Sequence, residues 1–517
     1  MPLLNRKRKI TLWTRIAYGS ANLIGSGASN IGNAWLLFFL TAFGNIPVWE
    51  ASIIFVIVSW MDVIMNPIIG YISDNLYSTK IGRLLGRRRF FILAAMPLMV
   101  IYSFIWTSGM SFWYYLILYL LFEFGYDLFM VPYETLATEM TQDFKERTYL
   151  TGARALFGNI ANFLTGALPG IYFMLLGKDS PYAFLATGGT WAAVMLSVLI
   201  LVYFNSWERN PEEVPNEQAG SLLEGIKKLF IDTLSTFKIR AFRLHLGNYL
   251  FGAQGALVVF TTVFTYYIIY ALNQQPTLVS AMNSLNSILQ IITTFTFVFI
   301  CSKKGFIKPN LVALTLVVLS VLSYGALYLL DAPDTTLYFA VIGITVVMGV
   351  AMGGTYYIPW TVYAFMADID ELVTNRRREG VLAGSMMVCN KFLKAVLLLA
   401  IGNILSAFGF KAGSNVLQPD SAIYAITLLM VAGTVVFILI AVYCTCKFKV
   451  FNQETYGVII EEVKRVHNGG RIEDVLPKNR KICELLTGYK YENCFGNNNV
   501  GYKGKKNQFP KHKESVK

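Results

Sequence analysis

The stretch IIFVIVSWMDVIMNPIIGYISDNLYSTKIGRLLGRRR, residues 53–89, decides the fold. It opens as an apolar run long enough to cross a bilayer, yet Asp62 sits near the middle of that run. An ionised Asp at that depth costs roughly 2.5–3.5 kcal/mol on insertion scales, so it faces protein or water rather than lipid. Asn66 follows four residues on, along the same helix face. Pro67 then removes a backbone donor and frees a carbonyl on that face. The stretch closes on Lys80, Arg83, Arg87, Arg88 and Arg89, a cationic block that stays on the cytoplasmic side. A buried carboxylate, a neighbouring amide and a basic anchor suggest a carrier coupled to a cation.

Composition agrees with a membrane setting. Of 517 residues, 55% are hydrophobic and only 15% charged, against about 25% charged in soluble domains. The mean hydropathy is +0.50. The net charge of +13 comes from Lys and Arg placed between apolar runs and in the C-terminal tail. That placement serves topology rather than nucleic-acid binding, so no nucleic-acid partner is expected. Most of the six cysteines fall in the tail or at its border, and reduced thiols are expected. Cys444 and Cys446 lack C-x-x-C spacing and the three His do not cluster with cysteine, so neither a zinc site nor another cofactor is expected. The start, MPLLNRKRKITLWTRIAYG, is basic without a small-residue cleavage site and reads as leading into a retained first span.

Runs of spanning length lie at 17–43, 50–73, 90–108, 112–138, 151–176 and 183–205. A second set lies at 244–271, 278–301, 309–330, 336–366, 381–407 and 421–446. The spacing therefore predicts an all-α membrane protein of about twelve transmembrane helices. Lys and Arg fill every second connection, whereas the alternate ones carry none or a single lysine, Lys178 or Lys411. This alternation predicts cytoplasmic N- and C-termini. A degenerate repeat supports a division into two six-helix bundles. VPYETLATEMTQDFKERTYLTGAR near the end of the fourth span and IPWTVYAFMADIDELVTNRRREGVLAGS near the end of the tenth follow one plan. Each runs from a Pro-aromatic pair through an acidic turn and a basic cluster into the next helix. Parallel halves of six helices predict a major-facilitator architecture. The expected domains are an N-terminal bundle at 1–205, a central cytoplasmic loop at 206–242, a C-terminal bundle at 243–446 and a cytoplasmic tail at 447–517. Within the tail, 453–467 reads as a short amphipathic helix and the last residues read as disordered; the tail as a whole reads either as an anionic-membrane contact or regulatory segment, or as a solvated tail with no specific role.

Asp62, Asn66 and Asp127 are the candidate oxygen ligands of a coupling cation. Lys391, two turns into the eleventh span, requires an acidic partner at that depth, with Asp62 or Asp127 the natural one. Glu123 reads as an interface residue and Lys394 as a snorkelling one. Tyr18, Asn22, Ser26, Ser29, Asn30 and Asn33 form a polar stripe along the first span, with Trp35 beyond. Such a stripe serves either a hydroxyl-rich ligand or close helix packing. Glu134, Arg154 and Trp360 complete the candidate substrate set. Arg83 and Arg147 are candidate gate residues that would pair across the closing bundles with Asp74, Glu139, Asp143, Asp368 or Asp370.

These features resemble the glycoside–pentoside–hexuronide:cation symporter family, which contains melibiose permease. The carriers of the resemblance are D-x-x-x-N-P-I-I-G at Asp62 to Gly70, PYETLATEMTQDFKERTYLTGAR at Pro132 to Arg154, and ADIDELVTNRRREG from Ala367 followed by Asn390-Lys391. The resemblance implies that Asp62 is a cation-ligand carboxylate, Arg154 lies near bound sugar, and Lys391 lies close to the cation site. Two departures stand out. A second helix-two carboxylate of melibiose permease is here Asn66, which weakens the case for sodium at Asp62. The first-helix aspartate that holds a galactoside there is here Ser26, which argues against melibiose. Asp127 lies three residues before the position of the family's fourth-helix aspartate, which aligns on Met130.

The resulting expectation is a monomeric secondary transporter of the cell (inner) membrane that imports a sugar, glycoside or oligosaccharide. Its coupling ion is a proton rather than sodium. A lysolipid-type carrier and a non-transporting membrane sensor are the alternatives, and the lack of a nucleophile–base pair argues against an enzyme.

Overall fold

The computed structural model describes residues 9–141, 144–177, 180–208, 231–330, 333–375, 378–413, 416–498 and 500. The first six long helices are α1 (Leu12–Ala42), α2 (Val48–Asn75), α3 (Arg89–Ile105), α4 (Phe112–Met140), α5 (Phe144–Leu176) and α6 (Pro181–Asn205). The next six are α7 (Arg240–Ala271), α8 (Pro276–Lys304), α9 (Ile307–Leu329), α10 (Asp334–Thr374), α11 (Glu379–Ala407) and α12 (Asp420–Lys447). Eleven of these helices contain a window long and apolar enough to span a membrane, and the shorter α3 has 17 residues, at the lower limit of about 17–25. All twelve expected spans are helical. Their ends move by a few residues: α7 begins inside the stretch read as a loop, and α10 runs on to Thr374.

Proline sets several helix starts, because its missing N–H costs nothing in a first turn. Pro181 and Pro276 occupy that turn in α6 and α8, and Pro47, Pro333 and Pro419 precede α2, α10 and α12. Pro132 and Pro359 lie inside α4 and α10, at the equivalent places the repeat assigns to them. α1 and α7, the first helices of the two halves, each contain two π-helical stretches: Leu23–Ala28 and Gly32–Leu36, then Asn248–Ala256 and Tyr267–Ala271. Isoleucines 57, 64 and 72 on α2 and Phe295 and Phe299 on α8 point outward, which in a bilayer is contact with lipid.

Three seams join the halves. Along α1 and α7, Thr265 donates to the Ala34 carbonyl at 2.9 Å, and the Thr41 and Tyr266 hydroxyls lie 3.0 Å apart. Along α5 and α8, a Cβ on Gly166 would stand 2.8 Å from the Ser284 nitrogen, and one on Gly170 would stand 2.7 Å from the Ser280 Cβ. Along α2 and α11, a Cβ on Gly402 would stand 2.7 Å from the Ser52 Cβ. Small residues permit this approach, as is common between membrane helices. Every one of these contacts lies in the half of the molecule away from the chain termini. In the opposite half, Glu134 on α4, Arg154 on α5 and Trp360 on α10 remain partly exposed. An ion pair inside spanning helices faces water, not lipid, so the cleft between the bundles opens toward the end that carries the termini.

Two buried charge clusters brace that open end. Arg87 and Arg88 bind Glu139 at 2.5 and 3.2 Å, and Glu208 accepts from the Arg87 and Arg88 backbone N–H groups at 2.8 and 2.9 Å. In the other half, Arg378 binds Asp370 at 2.6 Å and Asp232 at 3.5 Å and donates to Ser235. Both clusters tie neighbouring helices within one bundle. Glu139 and Asp370 are therefore held inside their own halves in this state rather than across the cleft. Arg83 donates to the Tyr77 carbonyl of its own loop. Arg147, Asp74 and Asp143 have side chains outside the described residues.

The tail departs from the solvated reading. The expected amphipathic helix forms as α13 (Gln453–His467), opened by a reciprocal Asn452–Thr455 cap, and is followed by α14 (Pro477–Thr487). Val458, Ile459, Ile482 and Leu486 are buried with Met366, Ile369 and Leu372 of α10. The Phe495 and Gly496 N–H groups donate to the Leu372 and Val373 carbonyls at 2.8 and 2.9 Å, satisfying helix-end acceptors that would otherwise need water. Composition misled here because α13 and α14 each carry only one apolar stripe. The surface that covers those stripes belongs to another part of the chain. The last residues, from 501, lie outside the described ones.

Candidate functional site

At mid-depth, where α2, α4 and α11 meet, Lys391 donates to Asp62 Oδ2 at 2.9 Å and stands 3.6 Å from Asp127 Oδ1. Asp62 is 6% exposed and Asp127 2%, so both carboxylates have left water almost completely. The two carboxyls lie within hydrogen-bonding reach of each other. Three further oxygens here are buried and have no hydrogen-bond partner among the described residues: Asp62 Oδ1, Asp127 Oδ2 and Asn66 Oδ1. Orphaned acceptors on this scale are costly, about 1–3 kcal/mol each and more when charged. Two such carboxylate oxygens beside a single ammonium mark a site short of positive charge, and Asn66 adds a third acceptor one turn along α2. Two carboxylates against one ammonium leave one negative charge, which a single monovalent cation would balance. Of the four residues read as cation-coupling, the structure brings Asp62, Asp127 and Lys391 together, and Asn66 lies one turn along α2 from Asp62.

The residues read as substrate-binding divide. Arg154 binds Glu134 at 3.0 Å, stands over the Tyr133 ring at 5.2 Å and remains partly exposed, so this pair borders the cleft. Trp360, 41% exposed, lies edge-on to Tyr249 at 5.6 Å and also contacts Tyr363. Tyr18 is 2% exposed and packs on Tyr133 at 4.8 Å. It supports the ring beneath Arg154 and does not line the cleft. Asn22 donates to the Arg154 carbonyl at 3.0 Å, and Asn30 donates to Asn162 Oδ1 at 2.5 Å. Ser26 faces α5 near Gly158. Much of the α1 stripe is therefore spent on packing against α5, which was the second of its two readings. Trp35 is fully buried among Phe38, Phe173 and Phe184 and takes no part in the cleft.

The family described as MFS/sugar transport protein matches residues 17–451. The chain belongs to that family. It is 24% identical to an uncharacterised symporter of Synechocystis sp., over 81% of this chain and 90% of that one. It is 26% identical to the sodium-dependent lysophosphatidylcholine symporter 1-A of Danio rerio, over 30% of each chain. Among solved structures it superposes on a bacterial homologue of the lysosomal transporter Spinster, described as inward-facing and unoccupied. The TM-score is 0.59 at 12% identity, covering 84% of this chain and 97% of that one. The fold is thus that of the major facilitator superfamily, a multi-pass membrane transporter of two six-helix bundles.

Within this MFS site the sequence reading passed over several polar residues. Asn162 and Ser287 join α5 to α8 through the Asn162 carbonyl at 3.1 Å, and Asn286, 7% exposed, keeps an Oδ1 without a hydrogen-bond partner among the described residues. Their signal was available in Asn159 and Asn162 of α5 and in Asn283, Asn286 and Gln290 of α8. Those amides recur at the same three- to four-residue interval as the α1 stripe. Tyr119, Glu123 and Lys394 also gather at the carboxylate site, with Glu123 within electrostatic reach of Asp62, Lys391 and Lys394.

Proposed function

We propose that this chain is a cation-coupled symporter that imports a sugar or glycoside by alternating access, with Asp62, Asn66, Asp127 and Lys391 as the coupling site. The reading is carried by the buried Asp62 and Asp127 carboxylates on the Lys391 ammonium, each with an oxygen that has no hydrogen-bond partner among the described residues. A proton is the favoured ion. Two carboxyls in mutual hydrogen-bonding reach are the arrangement that shares one, and two carboxylates beside a fixed ammonium are few ligands for a dehydrated metal ion. On the alternation of basic connections, the end carrying the termini is cytoplasmic, and the state described is inward-facing. In the cycle, a cation arriving at Asp62 and Asp127 releases Lys391 and favours the outward-facing, substrate-competent state. Substrate held between Arg154, Glu134 and Trp360 then lowers the barrier to rocking. Inner-membrane placement and a monomeric state go with this reading.

Lysolipid carriage is the second reading, favoured by the partial match to the Danio rerio symporter. One experiment separates the two. Purified protein in proteoliposomes is given a panel of glycosides, uronides, oligosaccharides and lysophosphatidylcholine under separately imposed proton and sodium gradients. The expected result is proton-driven accumulation of a sugar or glycoside that Asp62→Asn abolishes. Sodium-driven movement of the lysolipid alone would overturn both substrate and ion. Accumulation unchanged by Asp62→Asn would remove the coupling site.

A further inference from the structure

The coupling site has a second layer. Helix α4 runs from the closed end toward the cleft, so Glu123 lies one turn, about 5.4 Å, closer to the closed end than Asp127. Helix α11 runs the other way and places Lys394 one turn closer to the closed end than Lys391. The lower layer is Asp62, Asn66, Asp127 and Lys391; the upper layer is Tyr119, Glu123 and Lys394. Lys391 occupies the lower layer here, paired with Asp62 and Asp127. Among the described residues, Glu123 has no ion pair closer than 4.0 Å, and Tyr119 lies one turn before it on the same helix. Lys391 keeps 29% of its side chain exposed, which leaves room for its four-carbon stem to swing.

A cation entering the lower layer displaces the ammonium from the carboxylates that hold it. An ammonium stripped of its partner at mid-membrane is expelled or deprotonated unless another anion receives it. The carboxylates whose charge acts on this ammonium are Asp62, Asp127 and Glu123, and the cation has taken the first two. We infer that Glu123 is the alternate seat of the Lys391 ammonium, a positioning residue that receives the lysine when a cation occupies Asp62 and Asp127. This inference rests on the symport reading above and names how its site exchanges partners. The groups facing Glu123 are Asp62 on α2, Tyr102 on α3, Tyr119, Tyr126 and Asp127 on α4, and Lys391 and Lys394 on α11. Lys394 lies in the same layer as Glu123, within electrostatic reach of it. Lys391 thus moves toward the closed end as the cation binds, carrying charge to where the α2–α11 seam must open.

The test uses the full chain in proteoliposomes with a driving cation gradient and the substrate found in the uptake panel. In Glu123→Gln the lysine has no second seat and competes with the cation. The cation concentration for half-maximal uptake is expected to rise roughly tenfold or more, while substrate KM at saturating cation stays near the wild-type value. Glu123→Asp, which keeps a carboxylate on a shorter stem, should fall between the two. It also stands in if Glu123→Gln does not fold. The inference is overturned if both variants keep the wild-type cation dependence. It is also overturned if KM rises in parallel with the cation requirement, which a purely structural role produces. Asp62→Asn separates the two levels. If that variant still accumulates substrate, the symport reading has failed; if it is dead while Glu123→Gln behaves as wild type, only the alternate seat has failed.

Discussion

Gly402 on α11 offers a direct measure of the energy that holds the closed end. A methyl added there would overlap the Ser52 hydroxyl and sit 2.7 Å from the Ser52 Cβ and 2.9 Å from the Val48 carbonyl oxygen. Carbon–carbon contacts are most favourable at about 3.5–4.0 Å, so α2 and α11 must separate by roughly 1 Å. The Ser52 hydroxyl already bonds the Val48 carbonyl at 2.8 Å. A backbone oxygen cannot rotate aside, so the strain falls on the seam. Overpacking of this kind costs about 1–3 kcal/mol, and it weighs only on the state in which the seam is closed. The ratio of the cleft-open state described here to its alternative should therefore fall by roughly 5–150-fold in Gly402→Ala. Nitroxide labels at Lys80 and Lys304, exposed residues on the two bundles at the open end, read the change as a shorter interlabel distance. Gly343→Ala is the control, since nothing lies within 4 Å of a Cβ there. An unchanged distance distribution in Gly402→Ala would refute the reasoning, because the seam would then not be a determinant of the state.

Three further outcomes follow from separate parts of the molecule. Arg378→Met leaves Asp370 and Asp232 buried without their shared partner, a loss of about 3–5 kcal/mol. The thermal unfolding midpoint in detergent should drop by several degrees, and adding Asp370→Leu should recover part of it. In the tail, burial pushes the Glu462 carboxyl up, but hydrogen bonds from Tyr491, Asn479 and Arg465 outweigh this and hold it below the usual carboxylate range. A lowered folded-state value means the stabilisation is present above the ordinary value of about 4.3 and is lost as pH falls through the lower one. Proteolysis of the tail should accelerate on acidification in that window in the wild type and far less in Glu462→Gln. Arg154→Lys keeps the charge but loses the planar fork that meets Glu134 at 3.0 Å. Substrate KM should rise about tenfold or more with the cation requirement unchanged, as read in the same uptake assay.

What was legible in the sequence was whatever depends on local solvent preference. Twelve apolar runs of spanning length fix twelve helices, because lipid cannot satisfy an open backbone. The repeat of Pro132-Tyr133 and Pro359-Trp360 exposed the two-fold plan. Asp62, Asp127 and Lys391 could be singled out because a charge in such a run needs a partner wherever the chain later puts one. The chain did not carry the matching of partners. Lys391 lies 329 positions from Asp62, and only the packing of α11 on α2 and α4 sets their separation at 2.9 and 3.6 Å. The gate acids show the same limit: Glu139 and Asp370 find arginines within their own bundles. The docking of α13 and α14 was equally hidden, since a helix with one apolar stripe does not name the surface that covers it. Which end of the cleft is closed depends on glycines such as Gly166 and Gly402. Their meaning lies in the helix opposite, so tertiary contact alone decided the state.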